Sequence, residues 1–520
     1  MVNNFLKNNL AILFGNVFFK IGGYIYKFLM VYLLNNYAYG ILTIISPFQN
    51  ILQTLAAGGL PPTISKYVSE YNATNQKENS YKLILVSIKI AILLGITFGL
   101  LMIFFIAPLL VKIYNNNSLL LPLQIIGLIV PFSAIVGVFR GIFQGTYEMA
   151  HILTSRAIEQ ITMILSAIVL IILGFSVVGA IFGSVIGFFS SLISVIIILH
   201  KYFLDIFQGM LKLKMDFKEE IKIAYKIISF SIPVILTAIS EIGIYSMTTT
   251  IMPLFITISE IGYFGIAEPI ARLPLMISNS LATTILPVTS EMFASKNTNI
   301  LKKYMFNALR YNLIIMVPIC LFIMIFSKEV LLVMFFTKPF YSKGANVLTI
   351  LTLGMFFYSI FAITSSMIQG AGKPKSSMYL LIGGFIQILL LSFIFIPYFG
   401  VNGGAISTTL TTATMTLISL IYLNKHISLK FNMIHYLKIL FAGIIIAIFL
   451  LILPKNLIGF YIRLLFLFPI YLITLMIIKG FTADDLSILM KIENKLPFKL
   501  TIIKKMIIKG TEVNFNEYRK

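Results

Sequence analysis

Charge, cysteine and histidine are scarce in this sequence, and each shortage closes off a class of protein. Of its 520 residues only 11% are charged, against 59% apolar. A soluble domain carries about 25% charged residues, so this chain has too little polar surface to dissolve in water. The single cysteine, Cys320, lies inside an apolar block. That excludes a disulfide framework or a thiolate metal site and leaves packing as its role. His151, His200, His426 and His435 are scattered with no partner at ligand spacing, so neither a metal nor another cofactor is expected. A phosphate-binding loop of the form G-x-x-x-x-G-K-[ST] is missing too. Gly370-Ala371-Gly372-Lys373-Pro374 comes nearest, and Pro374 ends the likeness. The chain is therefore not expected to drive transport with ATP by itself. The segment 35–40 lacks a carboxylate and no large external loop follows. Both absences argue against a membrane-embedded sugar transferase or polymerase, so no enzyme activity is expected.

What is present is apolar sequence in long blocks. A span needs roughly 20 apolar residues to cross about 30 Å of hydrocarbon. Runs of that kind predict helices near 10–34, 41–62, 83–111, 119–146, 155–174, 178–199 and 226–256. The series continues with 261–288, 304–336, 345–370, 376–397, 402–424, 436–453 and 458–478. The first block is too long for a signal-peptide core and lacks a small-residue cleavage site, so it reads as an uncleaved first span. The fold class is all-α integral membrane, with about 14 transmembrane helices.

Lysine and arginine settle the expected orientation. Of 40 such residues, 30 fall on the side that holds the N-terminus, six on the other and four inside spans. The positive-inside rule then puts both termini in the cytoplasm of a multi-pass protein of the cell membrane. The formal charge of +22 is thereby topology and attraction to anionic membrane lipids; nucleic acid is not an expected partner.

The chain also repeats itself at an offset of about 222–226 residues. Tyr39-Gly40 and Pro47 answer Ile261-Gly262 and Pro269; Leu60-Pro61 answers Leu286-Pro287. Phe143-Gln144-Gly145 answers Ile368-Gln369-Gly370, and Gly179-Ala180 answers Gly404-Ala405. Six helices per repeat is an even number, which predicts two parallel, pseudo-symmetric six-helix lobes. The expected organisation is a lobe over 1–200, a linker over 201–225, a second lobe over 226–425 and two additional helices over 426–480. A basic tail follows over 481–520. It opens on Thr482-Ala483-Asp484-Asp485, a helix start with an acidic first turn. Beyond it, lysines mixed with apolar residues read either as a helix on an anionic leaflet or as an ordinary solvated tail. Matching prolines in the two halves, Pro47 with Pro269 and Pro61 with Pro287, predict matching kinks.

Ionisable residues in mid-span cost roughly 2.5–3.5 kcal/mol each, so those present need a reason. The first span carries Lys20 and Lys27 with Tyr24 between them, all on one helical stripe. The eighth carries Glu268 and Arg272, four apart and able to pair, and the seventh carries Glu241. One reading is a cationic cavity, formed by Lys20, Lys27, Arg272 and Tyr24, that holds an anionic headgroup such as a diphosphate. The other is a buried structural pair with snorkelling lysines, which is the better account of Lys89. Glu241 and Glu268 bind a coupling ion, Na+ or H+, or neutralise the cations.

These features together resemble the polysaccharide transporter branch of the MOP exporter superfamily, the MATE-like group that includes O-antigen flippases, the stage V sporulation protein B group and, nearby, the lipid II flippases. The resemblance rests on Gly58-Gly59-Leu60-Pro61-Pro62-Thr63-Ile64-Ser65-Lys66-Tyr67 and Phe139-Arg140-Gly141-Ile142-Phe143-Gln144-Gly145. Ser231-Ile232-Pro233 and Ile368-Gln369-Gly370-Ala371-Gly372-Lys373-Pro374 complete it. It implies two lobes around a V-shaped cavity and a flippase that moves polyprenyl-diphosphate-linked saccharide across the cytoplasmic membrane by alternating access. It also implies cavity-facing basic residues at Lys20, Lys27 and Arg272 and an ion-site carboxylate at Glu241. On helix eleven, where that ion site has further polar or acidic groups, this chain offers Gln387. The alternative is a cation-coupled antiporter of drugs or small solutes on the same fold. Against cationic drugs, helix one carries lysines where the multidrug branch has first-half carboxylates.

Overall fold

The computed structural model describes residues 19, 21–57, 59–213, 215–295, 298–427, 433–452, 457–482 and 485. Helix follows helix throughout, and no strand occurs among the described residues. This is the expected outcome for backbone in hydrocarbon, where every N–H and C=O has to be satisfied inside its own segment. Nine helical stretches among the described residues are long and apolar enough to cross a membrane. Their outward side chains are apolar as well: Phe105 is 68% exposed, Ile172 73% and Leu465 71%. Such a surface meets lipid, not water.

The first unit of the fold takes in residues up to Pro269 together with Leu381–Ser407. Its helices are α1 (Ile21–Leu33), α2 (Asn36–Ala57), α3 (Leu60–Ala73), α4 (Lys77–Leu101), α5 (Ala107–Tyr114) and α6 (Leu120–Gly145). They continue with α7 (Met149–Leu170), α8 (Ser176–Tyr202), the short α9 (Leu204–Lys212), α10 (Phe217–Ile251) and the start of α11 (Ile258–Arg272). The second unit, Ile270–Leu380 and Thr408–Lys520, holds α12 (Leu275–Ala294), α13 (Thr298–Ile325), α14 (Ser327–Met334) and α15 (Ala345–Gly370). It also holds α17 (Met433–Ile452) and α18 (Leu457–Ile477), while α16 (Pro374–Ile427) passes through both units. Its core gathers Ile285, Leu301, Met305, Leu309, Met367 and Leu423.

The repeat seen in the sequence has a physical counterpart in two hairpins. Between α7 and α8 the chain reverses at Gly174 (φ 96°) and Ser176 (φ 47°, ψ −131°). The arms then run back antiparallel, with Gly179 against Leu170, Gly183 against Ala167 and Gly187 against Met163. Within α16 the reversal is at Gly400 (φ 57°, ψ −132°), with Gly403 against Phe395 and Ser376 hydroxyl 2.8 Å from that of Tyr422 at the open end. The two turns have nearly the same backbone angles at positions 224 residues apart, an offset inside the sequence repeat.

A second trace of the repeat lies inside the first unit. Gly40 of α2 sits against the Ile258 carbonyl, and Gly262 of α11 against the Asn36 carbonyl. Adding the repeat offset to Gly40 and Asn36 gives Gly262 and Ile258, so each contact is the other with partners exchanged. That reciprocity is how elements related by a twofold axis touch.

The matching kinks are only partly found. Span two is described as two helices, α2 ending at Ala57 and α3 beginning at Leu60, with proline at the start of α3, where its missing N–H costs nothing. Pro287, its counterpart, stays inside a continuous α12. Span eight breaks 13 residues earlier, where α11 ends at Arg272 and α12 begins at Leu275. The reason is Pro274, whose ring disfavours helical geometry at Leu273.

Candidate functional site

Helix α1 is held by small and polar contacts along one side. Gly22 rests on the Gln160 side chain of α7, Tyr26 donates to the Ala180 carbonyl at 3.1 Å, and Gln160 donates to the Phe19 carbonyl at 3.2 Å. At 3.6 residues per turn, Tyr24 and Lys27 then lie well round the helix from the face that packs on α7 and α8. Both are half-buried, and the Tyr24 ring stacks on Phe28 at 6.3 Å. At Gly23 nothing stands within 4 Å of where a Cβ would be. Lys20 lies outside the described residues.

Arg272 and Glu268 share the last turn and a half of α11, on either side of Pro269, and both are half-buried. Arg272 stands at the lip of the break, two residues from Pro274, the N-cap of the 20-residue α12. The Met276 and Ile277 N–H groups of the first turn are taken by the Leu273 and Pro274 carbonyls at 3.2 and 3.1 Å. What the interruption offers an anion is the Arg272 guanidinium beside the positive dipole end of α12. Glu241 is exposed on α10. Two residues along, Gly243 meets the Phe385 ring, so α10 packs on the arm of α16 that carries the half-buried Gln387.

The sequence motifs behind the family resemblance turn out to be joints between helices. Ser231 donates to the Gly59 carbonyl at 3.1 Å and lies 2.9 Å from the Thr63 hydroxyl, which ties α10 to α3. Arg140 of α6 clamps three helices: it reaches Glu159 at 2.6 Å and Ser155 at 3.0 Å, both on α7, and Ser191 at 3.1 Å on α8. Gly141 seats α6 on the backbone of Pro61. In the second unit, Gln369 donates to Ser365 at 3.3 Å and Ser377 at 3.2 Å.

Two further clusters were not anticipated. Arg310, counted from the sequence as a loop cation, is 0% exposed on α13 and grips Asp485 with both nitrogens at 2.7 and 2.6 Å. Asp485 also accepts the Thr482 backbone N–H at 2.8 Å, the reciprocal half of a helix cap. The sequence singled out Asp485 but not its buried partner 175 residues away; the rest of the expected acidic turn and basic tail lies outside the described residues. Near α4, Lys82 bridges Glu78 and Glu219 at 2.9 and 2.8 Å. Lys89, read as snorkelling, is 53% exposed and pairs with Glu220 at 2.6 Å.

The sequence profile of a family described as "Polysaccharide biosynthesis protein" matches residues 5–293, more than half of the chain. The chain belongs to that family. The MatE profile matches residues 233–396, which overlaps the first match and runs on into α16. An uncharacterized membrane protein of Methanocaldococcus jannaschii is 26% identical over 439 residues, 81% of this chain and 99% of that one. The lipid II flippase MurJ of Bacillus subtilis is 23% identical, covering 73% of this chain and 75% of its own. Among solved structures, lipid II flippase MurJ in an inward closed conformation superposes with a TM-score of 0.69 at 18% identity, over 89% of this chain and 98% of that one. The family member described here thus has the fold of these multi-pass membrane transporters.

Proposed function

We propose that this family member is a flippase, not an enzyme: it moves a polyprenyl-diphosphate-linked saccharide across the cytoplasmic membrane by alternating access. The observation that carries the reading is the break in span eight, which sets half-buried Arg272 beside the start of α12. Cations of helix one, Lys20 and Lys27, with Tyr24 as a stacking surface for sugar, supply the rest of an anion-seeking site. Lys and Arg suit diphosphate oxygens, and a low-dielectric wall strengthens the attraction. In this reading the two lobes span 1–200 and 226–425, and both termini lie in the cytoplasm. Glu268 balances Arg272, and Glu241 serves a coupling Na+ or H+ or charge balance. Supporting it are the family's description and a relative named as a lipid II flippase.

The test is a Lys20→Ala, Arg272→Ala double variant, reconstituted in vesicles with a fluorescent lipid-linked saccharide. Losing two charge-assisted contacts of about 1.5–3 kcal/mol each lowers flipping by at least about 100-fold, with expression unchanged. Wild-type rates would defeat the proposal. A second reading, the drug or solute antiporter, is favoured by the MatE match over 233–396. It requires a cavity of the opposite sign.

A further inference from the structure

A cavity of about 390 Å³ opens where α4 begins and α8 ends, lined by Lys77, Ser80, Tyr81, Lys201, Tyr202 and Asp205 among others. Both helices belong to candidate membrane spans, and the cavity lies just beyond the apolar runs 83–111 and 178–199 expected from the sequence, with Lys77 six residues before the one and Lys201 two after the other. Lys77, Lys201 and Asp205 make no ion pair among the described residues. Among the described residues, two cations without a carboxylate, of which Lys201 lies over the Tyr202 ring at 5.3 Å, and one carboxylate without a cation thus surround one opening, whereas Lys82 and Lys89 pair with Glu219 and Glu220.

The wall is built for contact. Ser80 is only 2% exposed and its hydroxyl has no partner among the described residues, yet it lines the opening. Gln76 precedes α4 without a side-chain cap, so the first-turn N–H groups of a 25-residue helix are open to an anion. Tyr81 is fixed in place by the bare backbone of Gly209 on α9. Tyr202 and Phe203 are backed by His151 at 4.8 and 5.7 Å and by Phe143 at 5.3 Å. Beside the mouth, Leu204 is 44% exposed and Tyr202 58%, an apolar and amphipathic rim such as sits at a bilayer boundary.

We infer that this cavity seats the headgroup of a zwitterionic glycerophospholipid. Its phosphodiester lies against Lys77, Lys201 and the Ser80 hydroxyl, and its ammonium against Asp205. A purely anionic ligand would leave Asp205 facing like charge, and a purely cationic one would face two lysines. Only a headgroup with both signs uses all three. The site is separate from the helix-one and helix-eight cations and stands whichever solute the bundle carries.

The test is native mass spectrometry of the full-length protein after equilibration with an equimolar mixture of phosphatidylethanolamine and phosphatidylglycerol of matched chains. Wild type retains more of the ethanolamine lipid. Lys77→Gln with Lys201→Gln removes two solvent-exposed charge contacts and lowers total retention at this site by about tenfold, and Asp205→Asn erases the preference between the two lipids. All three side chains are exposed, so the variants keep the wild-type melting midpoint. Retention unchanged in the lysine variant, or a preference that survives Asp205→Asn, overturns the assignment. So does displacement of the bound lipid by inorganic phosphate as readily as by O-phosphoethanolamine, which would mark a site for free anions.

Discussion

Span two and span eight start from the same pattern and end differently. Each pairs a glycine near its start with an internal proline, Gly40 with Pro47 and Gly262 with Pro269, and each is interrupted. In span two α3 starts at Leu60, after Gly59, with no ionisable group beside it; its neighbours are Thr63 and Ser231, which lock α3 to α10. In span eight the interruption falls at Leu273–Pro274, directly after Arg272. A duplicated helix has kept its interruption in one copy as a joint between α3 and α10 and in the other next to a charged residue, Arg272. The difference teaches that proline position alone does not place a break; what decides is whether the helix has a ready-made start after it, as at Pro61, or is stopped before it, as at Pro274.

The two halves also treat buried arginine differently, and that contrast gives the largest expected effect. Arg310 has one carboxylate besides the neutral Thr482 hydroxyl at 3.1 Å and Gly480 carbonyl at 2.9 Å, and the ion pair is sealed, at 0% and 8% exposure for Arg310 and Asp485. Asp485→Asn should therefore cost about 3–5 kcal/mol, because a fully buried cation loses its counter-charge. Arg140 has Ser155 and Ser191 besides Glu159 and is 16% exposed, so Glu159→Gln should cost only about 1–3 kcal/mol. Thermal unfolding in detergent checks both, and equal losses would erase the contrast. Next in size, Pro274→Ala should let α11 and α12 fuse and slow transport about tenfold, since proline disfavours a helix interior by about 3 kcal/mol. Pro287→Ala, inside an already continuous α12, should leave transport within about twofold of wild type. Reversed sensitivities would show that the break is not functional.

The smallest effects sharpen the hairpin comparison. Ser176 and Gly400 hold the same left-handed turn, one with a side chain and one without. Ser176→Gly should stabilise by about 0.5–1 kcal/mol by relieving strain, and Gly400→Ala should destabilise by about 1–3 kcal/mol. Both shifts can be read from the melting midpoint of the purified protein.

Much of this was legible in the sequence, for reasons that particular residues make plain. Apolar length alone gave the helical class, because hydrocarbon leaves the backbone no other choice. The repeat anchors pointed to real elements: Gly40 and Gly262 are close-approach sites, and Gly179 lies on the inner face of its hairpin. The break at Pro274 was missed because the repeat drew attention to Pro287. The Arg310–Asp485 pair was missed because no local spacing links residues 175 apart. At the candidate site, sequence alone supported an expectation only, that Lys27, Arg272 and Glu241 lie within apolar runs. That Arg272 adjoins a helix start depends on backbone geometry that composition does not encode.

The most direct test of the account compares two solutes in one preparation. Vesicles holding the wild-type protein are given a polyprenyl-diphosphate-linked saccharide and, separately, a cationic dye, and transport of each is followed with time. The account predicts movement of the lipid-linked saccharide and none of the dye above empty vesicles. Transport of the dye with the saccharide left in place would contradict it.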